Sequence, residues 1–147
     1  RGNLVIAETY KDAITALENT AFDVVITDER IPYAAEPVYP IYEAKFTGRP
    51  LPFGSRIVLY ALAKGVPFVS MFTDTNHHSD EIAAAQDELL EMCRATGELQ
   101  PIRIGGSQYL EGWESAFCRS GVKTYSALFD CLAESKRVEN RRIVPNV

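Results

Sequence analysis

Two acids and two histidines stand where chemistry could be done. Asp28 ends the apolar run of "VVITDERIP", and Asp74 follows the run "VPFVSMFT". Behind Asp74 come His77 and His78, the only histidines of the chain. A third polar group, Gly105, Gly106 and Ser107, follows "PIRI". Carboxylates at two strand ends can hold a hard cation such as Mg²⁺ through oxygen. His77 and His78 with Asp74 and Asp80 would suit zinc or a transition metal, and a metal held by Asp28, Asp74, His77 and His78 would make a small hydrolase. Consecutive glycine amides before a serine can cradle an anion. Each group also has a plainer reading. Asp28 can cap a loop, the histidines can hydrogen-bond locally or titrate near neutral pH, and the glycines can simply turn the chain into a helix.

These groups need elements to position them. Leu4 to Ala7 reads as a short strand. Tyr10, Ala13, Ile14, Leu17 and Ala21 recur at helical spacing and predict a helix over 10–21. Asp23 to Thr27 is a compact β-branched run, the pattern of a strand buried on both faces of a parallel sheet. A helix follows over Gly54 to Lys64, with Ile57, Val58, Ala61 and Leu62 inward and Gly65 as its stop. Val66 to Phe72 is the next strand. Ser79 or Asp80 can cap a helix to about Thr96, with Ile82, Ala85, Leu89, Met92 and Cys93 inward. Pro101 to Ile104 is a last strand. Two helical segments close the chain, one around Trp113 and Phe117, the other carrying Tyr125, Leu128, Phe129 and Leu132.

Alternation of this kind predicts one α/β domain over 1–147 with a parallel sheet and right-handed crossovers. In such a sheet, ligands bind beyond the carboxyl ends of the strands, which gathers Asp28, Thr73, Asp74 and the Gly105–Ser107 group on one edge. Residues 29–53 break the rhythm. They hold Pro32, Pro37, Pro40, Pro50 and Pro52, interleaved with Tyr33, Tyr39, Tyr42 and Phe46. Prolines at that density stop a helix or a central strand, and a loop so long inside a domain is usually functional. Its aromatics suit a partner surface or a lid over the Asp28 edge.

Composition narrows the function. The chain has 147 residues, 46% hydrophobic and 24% charged, which is enough for one domain with a core and argues against disorder. A net charge of −5 argues against nucleic acid as a partner, and Lys136, Arg137, Arg141 and Arg142 read as a solvated face of the segment 122–147, an extra C-terminal helix and tail. Cys93, Cys118 and Cys131 are odd in number and widely spaced, as expected of reduced thiols in the cytoplasm. No apolar run is long enough to cross a membrane, and no signal peptide is visible. The chain opens at Arg1 and enters a strand at once, so natural sequence upstream is expected.

With these elements in place, "LVIAETYKDAITALENTAFDVVITDERIP" resembles the second to third strands of a response-regulator receiver domain. "GVPFVSMFTD" resembles the fourth strand, and the likeness covers roughly residues 4–32 and 54–104. The resemblance implies a flavodoxin-like α/β/α fold with a long proline-rich insertion after Asp28. It implies that Asp28 accepts a phosphoryl group as a carboxylate nucleophile, with Thr73 contacting that group and Mg²⁺ as cofactor. Three departures imply a degenerate or pseudo-receiver. The first strand, central in receivers and carrier of their acidic pair, is absent. The lysine expected at the end of the fifth strand is replaced by "IRIGG". The loop after Asp28 is far longer than a receiver's. The expected function is therefore a signalling or interaction module without turnover catalysis. Its protein partner or second copy would dock through Pro32–Phe53 or the C-terminal helices. The alternatives are a working phosphoacceptor at Asp28 and a metal-assisted hydrolase using Asp28, Asp74, His77 and His78.

Overall fold

The computed structural model describes residues 4–34, 49–73, 81, 82, 84, 91, 92, 101–113, 118, 119, 122, 123 and 130. Their organising element is a four-stranded mixed sheet, mostly parallel, flanked by helices: an α/β fold.

Helix α1 (Tyr10–Asn19) starts where local chemistry sets it. Thr9 is extended, and its hydroxyl oxygen accepts from the Asp12 backbone N–H at 3.2 Å while its hydroxyl donates to Asp12 Oδ2 at 2.6 Å. One otherwise unsatisfied first-turn donor is thereby paired, and an acid sits at the positive end of the helix dipole. Strand β1 (Val24–Asp28) follows. Two-residue strands β2 (Ile31–Pro32) and β3 (Pro50–Leu51) then pair antiparallel, Ile31 opposite Leu51 and Pro32 opposite Pro50. The proline-rich segment is thus pinned at both ends. Stacking of Tyr10 on Phe53 (4.8 Å between centroids) and on Tyr33 (5.9 Å) braces the same place. Tyr39, Tyr42 and Phe46 lie outside the described residues.

Helix α2 (Gly54–Ala63) ends in a Schellman motif: Val66 N–H bonds to Ala61 C=O at 3.1 Å and Gly65 N–H to Leu62 C=O at 3.0 Å. That turn feeds β4 (Phe68–Thr73), every residue of which is buried. Strands β5 (Ile102–Ile104) and β6 (Ser107–Trp113) complete the sheet in the order β1-β4-β6-β5. β1, β4 and β6 are parallel, and β5 is antiparallel to β6. Strands β7 (Cys118–Arg119) and β8 (Val122–Lys123) form a separate antiparallel pair.

Strand alternation sorts the side chains. Val69, Met71 and Tyr109 share one face and pack with Leu17 of α1 and Ile57, Val58 and Ala61 of α2. Phe68, Ser70, Phe72 and Leu110 share the other, also buried, where Ser70 donates its hydroxyl to Leu110 C=O at 2.8 Å.

Four expectations are corrected. Leu4–Ala7 is not a strand: no described strand pairs with it, and Leu4 and Ile6 are 85% and 78% exposed. The region around Trp113 is not helical but the end of β6, because Gly105 and Gly106 form the two-residue turn of a β5–β6 hairpin. Gly105 has φ 61, a positive value at the first central position as in a type II′ turn. The hairpin also makes the sheet mixed where an all-parallel one was expected. Residues 81, 82, 84, 91 and 92 are helical as expected, but Ile82 and Met92 face outward, 37% and 56% exposed. Cys93, Cys131 and the remainder of the last helical segment, other than the helical Asp130, lie outside the described residues.

Candidate functional site: a buried carboxylate pair at the sheet edge

Polar side chains meet on the α1/α2 face at the carboxyl ends of β1, β4 and β6. Alternation carries Glu29, one residue past β1, to this face and leaves Asp28 on the other. Glu29 is 0% exposed, and its Oε2 accepts the Thr73 hydroxyl at 2.9 Å. Glu111 on β6 is 3% exposed, and its Oε2 accepts from the Tyr109 hydroxyl two residues earlier on the same face. Its Oε1 has no hydrogen-bond partner among the described residues.

Helix α2 contributes to the electrostatics of this edge. It begins hard against the strand end: Gly54 N–H donates to Glu29 C=O at 3.0 Å, and no side chain caps the helix. The positive end of its dipole therefore lies beside the Glu29 backbone, where it favours a negative charge. Arg30 Nε stands 3.9 Å from Glu29 Oε1 and adds a second positive contribution. Among the described residues no positive group is placed beside Glu111 in the same way. Burial, and secondarily the nearby Glu29 charge, push its carboxyl from 4.5 to about 8. At neutral pH it is held mainly as the neutral acid, which makes an unpartnered oxygen cheaper to bury.

The positions singled out in the sequence are divided among several places. Asp28 closes on its own turn, Oδ1 accepting Glu29 N–H at 2.8 Å. It stands opposite Phe72 in register, so Thr73 belongs to the next position and the opposite face. Thr73 is buried at the carboxyl edge as expected, but its hydroxyl serves Glu29. Gly105 and Gly106 turn the hairpin at the start of β6, and buried Ser107 begins that strand. Since β6 runs parallel to β1 and β4, this group lies at the opposite end of the sheet from Asp28 and Thr73. Asp74, His77 and His78 lie outside the described residues. Among the described residues no three His, Cys, Asp or Glu side chains come together in a way that could hold a metal. No helix among them is long and apolar enough to cross a membrane.

Glu29 and Glu111 were not singled out from the sequence. A signal for Glu111 exists: in "SQYLEGW", Ser107, Tyr109 and Glu111 alternate behind a Gly-Gly turn, the pattern of a hairpin's second strand. Comparison of the chain with protein-family models, curated proteins and solved structures gives no match.

The Glu29–Thr73 bond has a measurable consequence. Thr73→Val keeps the shape and removes the donor, leaving a buried carboxylate with one bond fewer. The expected loss is about 2 kcal/mol of folding free energy, read from urea unfolding at pH 7. A loss no greater than that of an exposed Thr→Val change, such as Thr15→Val, would show that the bond contributes nothing.

Proposed function

We propose that this chain is a receiver-like α/β module for signalling or protein interaction, without turnover catalysis and without phosphoryl acceptance at Asp28. One observation carries the reading: the two groups that would accept and contact a phosphoryl group are split across the sheet. Asp28 is turned into its own loop by the 2.8 Å bond to Glu29 N–H, and the Thr73 hydroxyl is engaged by Glu29 on the other face. A phosphoryl group on Asp28 would stand on the opposite face of the sheet from that hydroxyl, and "IRIGG" carries no lysine where a receiver has one. The order of helix α1, strand β1, helix α2 and strand β4, with β1 and β4 parallel, supports a flavodoxin-like relative. The partner would engage the segment Pro32–Phe53, whose ends β2 and β3 hold together, or the C-terminal residues 122–147.

The test is direct. The protein is incubated with Mg²⁺ and acetyl phosphate and followed by intact mass. No covalent phosphoryl adduct is expected. A hydroxylamine-labile adduct that disappears in Asp28→Asn overturns the reading and installs the phosphoacceptor in its place. The interaction half is tested by deleting Pro37 to Pro50, which is expected to weaken self-association or partner binding; unchanged binding would sink it.

A further inference from the structure

Aromatic rings and cations gather where the proline-rich segment is pinned. Tyr10, Tyr33 and Phe53 form one ring cluster, with centroids 4.8, 5.5 and 5.9 Å apart. The Lys11 ammonium stands over the Tyr33 ring at 5.8 Å, and the Arg56 guanidinium over the Phe53 ring at 5.3 Å. Arg49 enters β3 at the end where Tyr33 leaves β2, since Pro50 and Pro32 are register partners. We infer that this rim is a docking surface for an acidic, extended segment of a partner protein, whose carboxylates meet Lys11, Arg49 and Arg56 and whose apolar residues lie against the three rings. The inference rests on the reading of the chain as an interaction module that engages its partner through Pro32–Phe53, and it gives that partner a chemistry.

The positive charge here is positioned but not neutralised. A ring face orients a cation without cancelling its charge. Among the described residues none of Lys11, Arg49 and Arg56 forms an ion pair with a carboxylate. Arg30 is set apart, because its charge is shared with buried Glu29 at 3.9 Å. Asp12, next to Lys11, accepts the Thr9 hydroxyl instead. Lys11 and Arg56 lie in the first turns of α1 and α2, whose dipoles add positive potential at the same place. Arg49 and Arg56 are exposed while the three rings are half-buried, so the charges border an apolar centre. The whole chain carries −5, so a positive surface on it is a local feature and does not follow from composition. Arginine forks take carboxylates in pairs, and complementary charge fixes the register of an extended ligand. A nucleic acid would also meet cations and rings, but its phosphates would have to approach a net negative chain, which places an acidic peptide first.

The probe is a fluorescein-labelled peptide alternating glutamate with leucine and proline, added to the full 147-residue chain. Saturable binding by fluorescence anisotropy is expected, weakening as salt is raised. The double variant Arg49→Glu, Arg56→Glu is expected to bind about tenfold more weakly. Both positions are exposed, and an acid at the start of α2 suits the helix dipole, so the fold is retained. Arg56→Met keeps an aliphatic stem on the Phe53 ring without the charge, and is expected to weaken binding about threefold. Arg103→Glu, exposed on β5, is the control and should leave binding unchanged. Several results overturn the inference: no saturable binding, undiminished binding by the double variant, or an equal loss in Arg103→Glu, which would reduce the effect to net charge. Tighter binding of polyuridylate than of the peptide would also overturn it and make the partner a nucleic acid. Association that depends on Pro37–Pro50 but not on these charges would remove this inference and leave the interaction module standing.

Discussion

Glu111→Gln is expected to make the protein more stable at pH 8 and to flatten the dependence of its stability on pH. The folded-state carboxyl is raised to about 8 from 4.5, by burial first and by the Glu29 charge second. Below about 4.5 both folded and unfolded chains carry this proton, and the contribution to stability is fully present. Between that value and about 8 the unfolded chain has lost its proton and the folded chain still holds one, so stability falls as pH rises; above about 8 the loss levels off. The amount at stake is on the order of a few kcal/mol. Glutamine keeps the shape, still accepts from Tyr109 and never ionises, so the variant should show none of this slope. Urea unfolding of both proteins from pH 5 to pH 9 gives the difference curve. Two parallel curves would show that the Glu111 carboxyl holds its proton equally in the folded and unfolded chains, which would refute the shift.

The second large effect is expected at Gly54. A Cβ built there would lie 2.1 Å from Asp28 O, 2.7 Å from Glu29 Cα and 2.9 Å from Asp28 C. All three are backbone atoms of the strand end, so no side chain can rotate away. Gly54→Ala must push α2 off β1 or bend the β1 end, and with it the Glu29–Thr73 contact. A loss of about 3 kcal/mol or more is expected. Gly65→Ala is the informative comparison. Gly65 has φ 73 and open space around it, so its substitution should cost only about 1–2 kcal/mol, through backbone conformation alone. Equal losses at the two positions in thermal or urea unfolding would refute the close-packing account of Gly54.

Much of the framework was legible because its signals are local. α1 and α2 fall where a 3.6-residue apolar period predicts them, and Leu17, Ile57, Val58 and Ala61 are core as expected. β1 and β4 are short β-branched or aromatic runs between turn signals, too short for helices. The misreadings arose where context decides. Leu4–Ala7 has a strand's composition, but a strand exists only by pairing, and sequence does not say whether a neighbour is present. Trp113 and Phe117 stand four apart and suggest a helical face, yet the Gly-Gly turn before them closes a hairpin first. The site turned on parity. In "TDE", alternation puts Asp28 and Glu29 on opposite faces, and only knowledge of which face the two helices cover identifies Glu29 as the buried acid. Glu111 was hidden for the same reason, inside a stretch assigned the wrong period.

The two sides of the sheet end differently. β5 is three residues long, and Arg103 and Ile104 on it are exposed; brevity and a charge are two of the ways proteins discourage further pairing. β1 is longer and carries no basic side chain among its five residues. Among the described residues the two outer strands are therefore unlike: β5 carries two devices against further pairing that β1 itself does not carry.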